Sequence, residues 1–90
     1  MTTESAEFKI VNRLGLHARA AAQLVQTANR FAADVMIEKD DNEVNGKSIM
    51  GLLMLAAPQG SRITVTVSGE DAIEAMKVIG TLIKDGFGED

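Results

Sequence analysis

The 90 residues include no Cys, Trp or Tyr, only three Phe, and a formal charge of −4. That length allows one domain with a modest aliphatic core, and the lack of Cys excludes disulfides, thiolate metal sites and thiol catalysis. The acidic balance weighs against nucleic acid or anionic membrane as a partner, no stretch reaches the roughly 20 apolar residues of a membrane span, and residues 1–6 lack the features of a signal peptide, so a cytoplasmic protein is expected.

Residues 6–11 alternate, Phe8 and Ile10 one way and Glu7 and Lys9 the other, which predicts a half-buried strand. Residues 12–16 contain Gly15 and read as a loop. Residues 18–30 run without Gly or Pro and place Ala21, Leu24, Val25 and Ala28 on one helical face. Residues 34–39 read as a second strand, Asp40-Asp41-Asn42 as a turn, and residues 43–45 as a short third strand closing a hairpin. A short helix is expected over residues 48–56, with Leu52 and Leu55 inward and Pro58 and Gly60 ending it.

Residues 62–68 give the clearest strand, because Ile63, Val65 and Val67 alternate with Thr64 and Thr66. Ser68 reads as the N-cap of a last helix, with Glu70 and Asp71 in its first turn. Ala72, Met76, Ile79 and Ile83 form its inner face, Lys84 lies in its last turn, and Gly86 stops it. Residues 87–90 read as an acidic tail. The order βαββαβα predicts one α+β domain over residues 1–90, a mostly antiparallel sheet with helices on one face.

His17 is the single histidine, and it stands where a loop becomes a helix. The first N–H groups of a helix lack internal partners and make an anion site. Here they belong to Ala18 and Arg19. Gly15 permits a tight approach to that site, the positive helix end favours a neutral, nucleophilic imidazole, and the Arg19 guanidinium can meet phosphate oxygens. A His-Arg pair on a helix end can equally be a structural cap, so the residues alone leave both readings open.

Leu14-Gly15-Leu16-His17-Ala18-Arg19 closely resembles the active-site signature of the histidine-containing phosphocarrier (HPr) family of the bacterial phosphotransferase system. Gly46-Lys47-Ser48-Ile49-Met50-Gly51 resembles that family's second signature, around a regulatory serine. The spacing and element order match as well, so the resemblance covers nearly the whole chain. It implies an open-faced β-sandwich, with four antiparallel strands packed on three helices. It also implies a carrier rather than an enzyme: enzyme I, charged by phosphoenolpyruvate, would phosphorylate His17 on Nδ1, and His17 would pass the group to an enzyme IIA protein or domain. Arg19 would neutralise the phosphoryl oxygens. The sequence departs from the pattern at Ala20, where the family usually has proline, which puts the rigidity of the anion site in question.

Ser48 has two compatible readings, as N-cap of the short helix and, by the resemblance, as the target of a serine kinase (and phosphorylase). Ile49, Met50 and Leu53 are expected to form an apolar docking patch, with Leu16 joining it. Asp40, Asp41 and Glu43 lack the ligand spacing of a calcium loop, so no metal and no cofactor is assigned. The expected state is a monomer. The rival from another class is a regulatory interaction module acting through Ser48 and its patch on a transcription factor or enzyme; an RNA-binding domain is disfavoured by the acidic charge and the lack of stacking aromatics. The nitrogen-related branch is suggested by Leu52-Leu53-Met54-Leu55 and by the run Gly86-Phe87-Gly88-Glu89-Asp90, whereas the second signature resembles the sugar-transport branch. Both branches stay open.

Overall fold

The alternation of Ile63, Val65 and Val67 with Thr64 and Thr66 makes β4 (Arg62–Gly69) the strand around which the rest assembles. Successive side chains leave opposite faces of a strand, so the three apolar residues are fully buried and the threonines are half-exposed. In the computed structural model, which describes residues 1–89, β4 pairs antiparallel with β1 (Thr2–Lys9) on one side and β2 (Asp34–Lys39) on the other. β2 pairs in turn with β3 (Asn42–Asn45), giving the order β1-β4-β2-β3. Their two-residue connection puts Asp40 and Asp41 at φ 51° and 68°, the left-handed backbone that the tightest hairpins need and that Asp tolerates.

Helices α1 (Ala18–Ala28), α2 (Ile49–Met54) and α3 (Ala72–Lys84) cover the apolar face. Phe8, Ile10, Val35, Ile37, Ile63, Val65 and Val67 meet Leu24 of α1, Leu52 of α2 and Ile79 and Ile83 of α3 in one core. The other sheet face is polar, with Thr3 paired to Ser68 and Ser5 to Thr66, each through hydroxyl contacts of 3.1 Å. This is the antiparallel sheet with helices on one face that the element order predicts, in the open-faced, four-stranded form that the resemblance implies.

Several element boundaries differ from the sequence expectation, among them β1 ending at Lys9 and α2 being shortened to Ile49–Met54, and three differences have a clear cause. β1 begins at Thr2 rather than residue 6, because Thr2 to Ser5 carry no apolar alternation yet pair with Gly69 to Thr66 of β4. α1 ends at Ala28 rather than residue 30, since the chain beyond it is drawn to Asp71. Ser68 is not a helix cap: it belongs to β4, and the N-cap of α3 is Asp71. The Asp71 carboxylate leaves its own helix uncapped and accepts the N–H groups of Ala32 and Ala33, each at 2.9 Å. Those bonds, that of Ala32 foremost, hold its carboxyl below the ordinary 3.8 against the opposing effect of desolvation.

Gly46 fixes how β3 leads into α2. Its N–H donates to the Val35 carbonyl at 2.7 Å, and a Cβ there would stand 2.6 Å from Val35 Cγ1 and 3.2 Å from the Val35 carbonyl oxygen. The neighbours are backbone and a stiff β-branched side chain, so neither can yield freely. Gly46→Ala is expected to lower stability by about 1–3 kcal/mol, the usual penalty of overpacking, measured by denaturant melts; an unchanged midpoint would show that the hairpin yields.

Candidate functional site

The loop before α1 is fixed from both sides. Asn12 is 1% exposed, its carbonyl accepts the Gly15 N–H at 3.1 Å, and its Nδ2 donates to the Gly15 carbonyl at 2.7 Å. Gly15 has φ +67°, and a Cβ on it would lie 2.5 Å from the Ala57 carbonyl oxygen. The next N–H, that of Leu16, donates to that same carbonyl at 2.8 Å. Leu16 is consequently 4% exposed and part of the core, which corrects its expected place in the docking patch. In extended chain, neighbours point opposite ways, so with Leu16 turned inward His17 is turned out.

His17 is the N-cap of α1, with extended backbone (φ −81°, ψ −178°) and no side-chain cap. The first helical bond runs from Ala21 N–H to the His17 carbonyl at 2.8 Å, so the N–H groups of Ala18, Arg19 and Ala20 precede any helical donor. Ala20 is fully buried against the core. Because its N–H has no helical acceptor, the missing N–H of a proline would cost nothing at this position, and alanine keeps the same backbone path.

The His17 side chain is 28% exposed, and its Nε2 lies 2.7 Å from Glu89 Oε2. The other oxygen, Oε1, accepts from Asn12 Nδ2 at 2.9 Å. The Asn12 bond, then the His17 contact and the charges of His17 and Arg19, hold the Glu89 carboxyl below the ordinary 4.5, desolvation opposing them. The stability contributed by this contact is therefore present above the unfolded value and lost as pH falls through the lower folded one. Arg13, Leu14, His17, Arg19, Gly88 and Glu89 line one open depression.

Glu89 and Asn12 are site residues that the sequence reading missed, and the reading of residues 87–89 as a tail is corrected. Gly86, Phe87 and Gly88 form a 3-10 turn after α3, with φ of 63°, 58° and 73°. The turn drops the Phe87 ring into the core, 2% exposed, and sends Glu89 to the site. A glycine just past a helix followed by an apolar residue is the signal that carried this turn. Asp90 lies outside the described residues.

At the second motif, Ser48 caps α2, its Oγ accepting the Gly51 N–H at 3.1 Å. Lys47 is tied down, its Nζ donating to the Phe31 carbonyl at 2.8 Å. Within α2 only Leu52 is buried, with Leu55 following just beyond the helix end. Ile49, Met50 and Leu53 are exposed, and so are Met54 at 79% and Leu14 at 66%, two apolar residues the sequence reading left out of the patch. Leu14 lies on the rim of the His17 depression. Among the described residues, no three His, Cys, Asp or Glu side chains come together as a metal site.

Comparison with known proteins agrees with this geometry. Residues 4–85 match the family model described as the PTS HPr component phosphorylation site. The phosphocarrier protein HPr of Neisseria meningitidis serogroup A is 51% identical over 81 residues, 90% of this chain and 91% of that protein. Among solved structures, HPr-C-His from Thermoanaerobacter tengcongensis superposes with a TM-score of 0.93 at 42% identity, covering 97% of this chain and 98% of that one. An HPr from Bacillus anthracis gives a TM-score of 0.88 at 44% identity, covering 92% and 99%. A histidine presented at a helix N-terminus, on this fold and with these relatives, has one reading: the chain belongs to the HPr family and is a phosphocarrier of the phosphotransferase system.

Proposed function

We propose that His17 is the phosphoryl acceptor, loaded by enzyme I and unloaded onto an enzyme IIA protein or domain in the cytoplasm. The observation that carries this reading is the position of His17, the exposed N-cap of α1 with helix N–H groups and Arg19 around it. The lone pair on Nδ1 attacks phosphorus, and the bond from phosphorus to the donor breaks with its electron pair leaving on the donor. The Ala18 and Arg19 N–H groups and the Arg19 guanidinium take the charge on the phosphoryl oxygens. Delivery is the same displacement with the acceptor as nucleophile. The carrier acts as a monomer on this reading, although an HPr from Thermoanaerobacter tengcongensis is also known as a dimer.

Ser48 adds a regulatory site. A kinase placing phosphate on its Oγ adds close to two negative charges at the edge of the Ile49, Met50 and Leu53 surface. Docking would then have to desolvate those charges beside apolar contacts.

Three outcomes are expected. With charged enzyme I, the protein gains one acid-labile, base-stable phosphate, and His17→Ala abolishes it while the variant still melts as a folded protein; undiminished labelling of that variant ends the reading. Arg19→Ala slows transfer by about 100-fold or less, the lower end of what one charge-stabilising donor supplies, because the site is open and backbone N–H groups share the task. Stopped-flow transfer at the wild-type rate would remove Arg19 from the mechanism. Ser48→Asp weakens calorimetric affinity for enzyme I by about tenfold, or 1.4 kcal/mol, whereas Ser48→Ala keeps affinity and costs about 1 kcal/mol of stability through the lost cap. Equal affinities for wild type and Ser48→Asp would count against control by charge.

A further inference from the structure

The polar chain behind His17 has a direction. The Asn12 amide is oriented by the Gly15 carbonyl, which can only accept, so Nδ2 is the donor facing Glu89 at 2.9 Å. Asn12 Oδ1 is buried and, among the described residues, has no partner; turning the amide over would forfeit the Gly15 bond. Glu89 Oε1 therefore accepts from Asn12, and Oε2, as a carboxylate oxygen, can only accept from His17 Nε2 at 2.7 Å.

We infer that Glu89, oriented by Asn12, is a positioning residue that holds the His17 proton on Nε2 and so leaves the lone pair on Nδ1. This rests on the carrier reading above and assigns the cause of its Nδ1 selectivity. The ring nitrogen that carries the proton is set by the hydrogen bond the other atoms offer it, and Nε2 is doubly unavailable as a nucleophile: protonated, and covered by a carboxylate. When Nδ1 attacks, the N–P bond forms and the donor bond breaks, while the Nε2 proton stays in place throughout. Positive charge develops on the ring during that step, and Oε2 is already in contact with it. The division of labour parallels that of the acid in a Ser-His-Asp triad, which fixes a tautomer and stabilises an imidazolium without taking its proton.

The directionality of Asn12 gives this a sharp test. In Glu89→Gln, the amide oxygen must face the Asn12 donor, which turns the Gln NH2 toward Nε2. An NH2 donates, so it stabilises the wrong tautomer, with the proton on Nδ1. Glu89→Ala merely releases the ring to its own preference. The isosteric variant is thus expected to be the worse one, the reverse of what a structural contact predicts.

The measurement is nitrogen NMR of the protein labelled with [15N]histidine, at a pH where the ring is neutral, together with initial phosphorylation rates from charged enzyme I. Wild type is expected to show the proton on Nε2. Glu89→Gln should move it to Nδ1 and slow phosphorylation by about tenfold, the bias one hydrogen bond can impose, while Glu89→Ala slows it less. An unmoved proton in Glu89→Gln, a moved proton with an unchanged rate, or Gln and Ala variants equally slow would overturn the inference. Wild-type protein that takes no phosphate on His17 would instead overturn the carrier reading itself, whatever the tautomer. Melting curves of both variants confirm that each is folded when compared.

Discussion

Between residues 10–16 and 57–61 the backbones are in direct hydrogen-bonding contact, and at Gly15 they leave no room for a side chain. Ile10 donates to the Ser61 carbonyl at 2.8 Å and accepts from Gly60 at 2.7 Å, and Leu16 donates to Ala57 at 2.8 Å. Gly15 sits inside this approach, where both its positive φ and the 2.5 Å to the Ala57 oxygen exclude a Cβ. The positive φ alone would cost another residue about 1–2 kcal/mol. The site is built on that contact: it turns Leu16 inward, makes His17 the N-cap from which α1 starts at Ala18, and leaves His17 at the surface with the helix N–H groups behind it. The same approach joins the segment after α2 to the segment before α1, so the two motifs share one rigid frame although more than thirty residues separate Gly15 from Ser48.

Charge at the site is divided by side of the ring. Arg13 and Arg19 border the depression on a chain whose net charge is −4, which suits the anion that the proposed function would bring there. Glu89 looks out of place there, because a carboxylate near an incoming phosphoryl group is repulsive. Its attachment resolves the conflict. Both oxygens are engaged, one by Asn12 and one by His17 Nε2, and Nδ1 lies on another edge of the imidazole. Across an open, solvated site, repulsion over the width of a ring is screened strongly, whereas a direct hydrogen bond is not.

What could be read from the sequence was carried by local pattern. β4 was visible because Ile63, Val65 and Val67 alternate with threonines, α1 because its apolar residues recur at helical spacing, and the Ser48 cap because a short acceptor precedes the helix by one residue. His17 and Arg19 could be placed at the start of α1 because loop glycine, histidine and arginine fall within one turn, while the roles proposed for them rest on the resemblance of residues 14–19 to the family signature. The misreadings share another cause. Asp71 satisfies N–H groups 38 and 39 residues away, and Glu89 reaches His17 over 72 residues. Such partners leave no periodicity. Ser68 was read as the cap because serine suits that role locally, and only its pairing with Thr3 of β1 and Asp34 of β2 places it in the strand. Leu16 was misplaced because a loop has no pattern to say which side is inward.

The exposure of His17 also bears on the apolar residues exposed at Leu14 and on α2. Open to water, the ring can be reached by more than one partner, but an open site cannot keep water from a transferring phosphoryl group. The walls missing from the free carrier must then come from the partner. On the proposed function, Leu14 on the rim, with Ile49, Met50, Leu53 and Met54 exposed on α2, would give a partner apolar surface to close against. Burial of that surface removes water from the site and strengthens each charged contact within it. Methionine suits such a surface because its unbranched chain adapts to differently shaped partners. α2 is only six residues long with a single buried side chain inside it, so its shape depends on the Ser48 cap at one end and on Gly46 at the entrance. On the proposed function, a phosphate on Ser48 would therefore act on docking, and through docking on the dryness of the site, while leaving the proposed chemistry of His17 untouched.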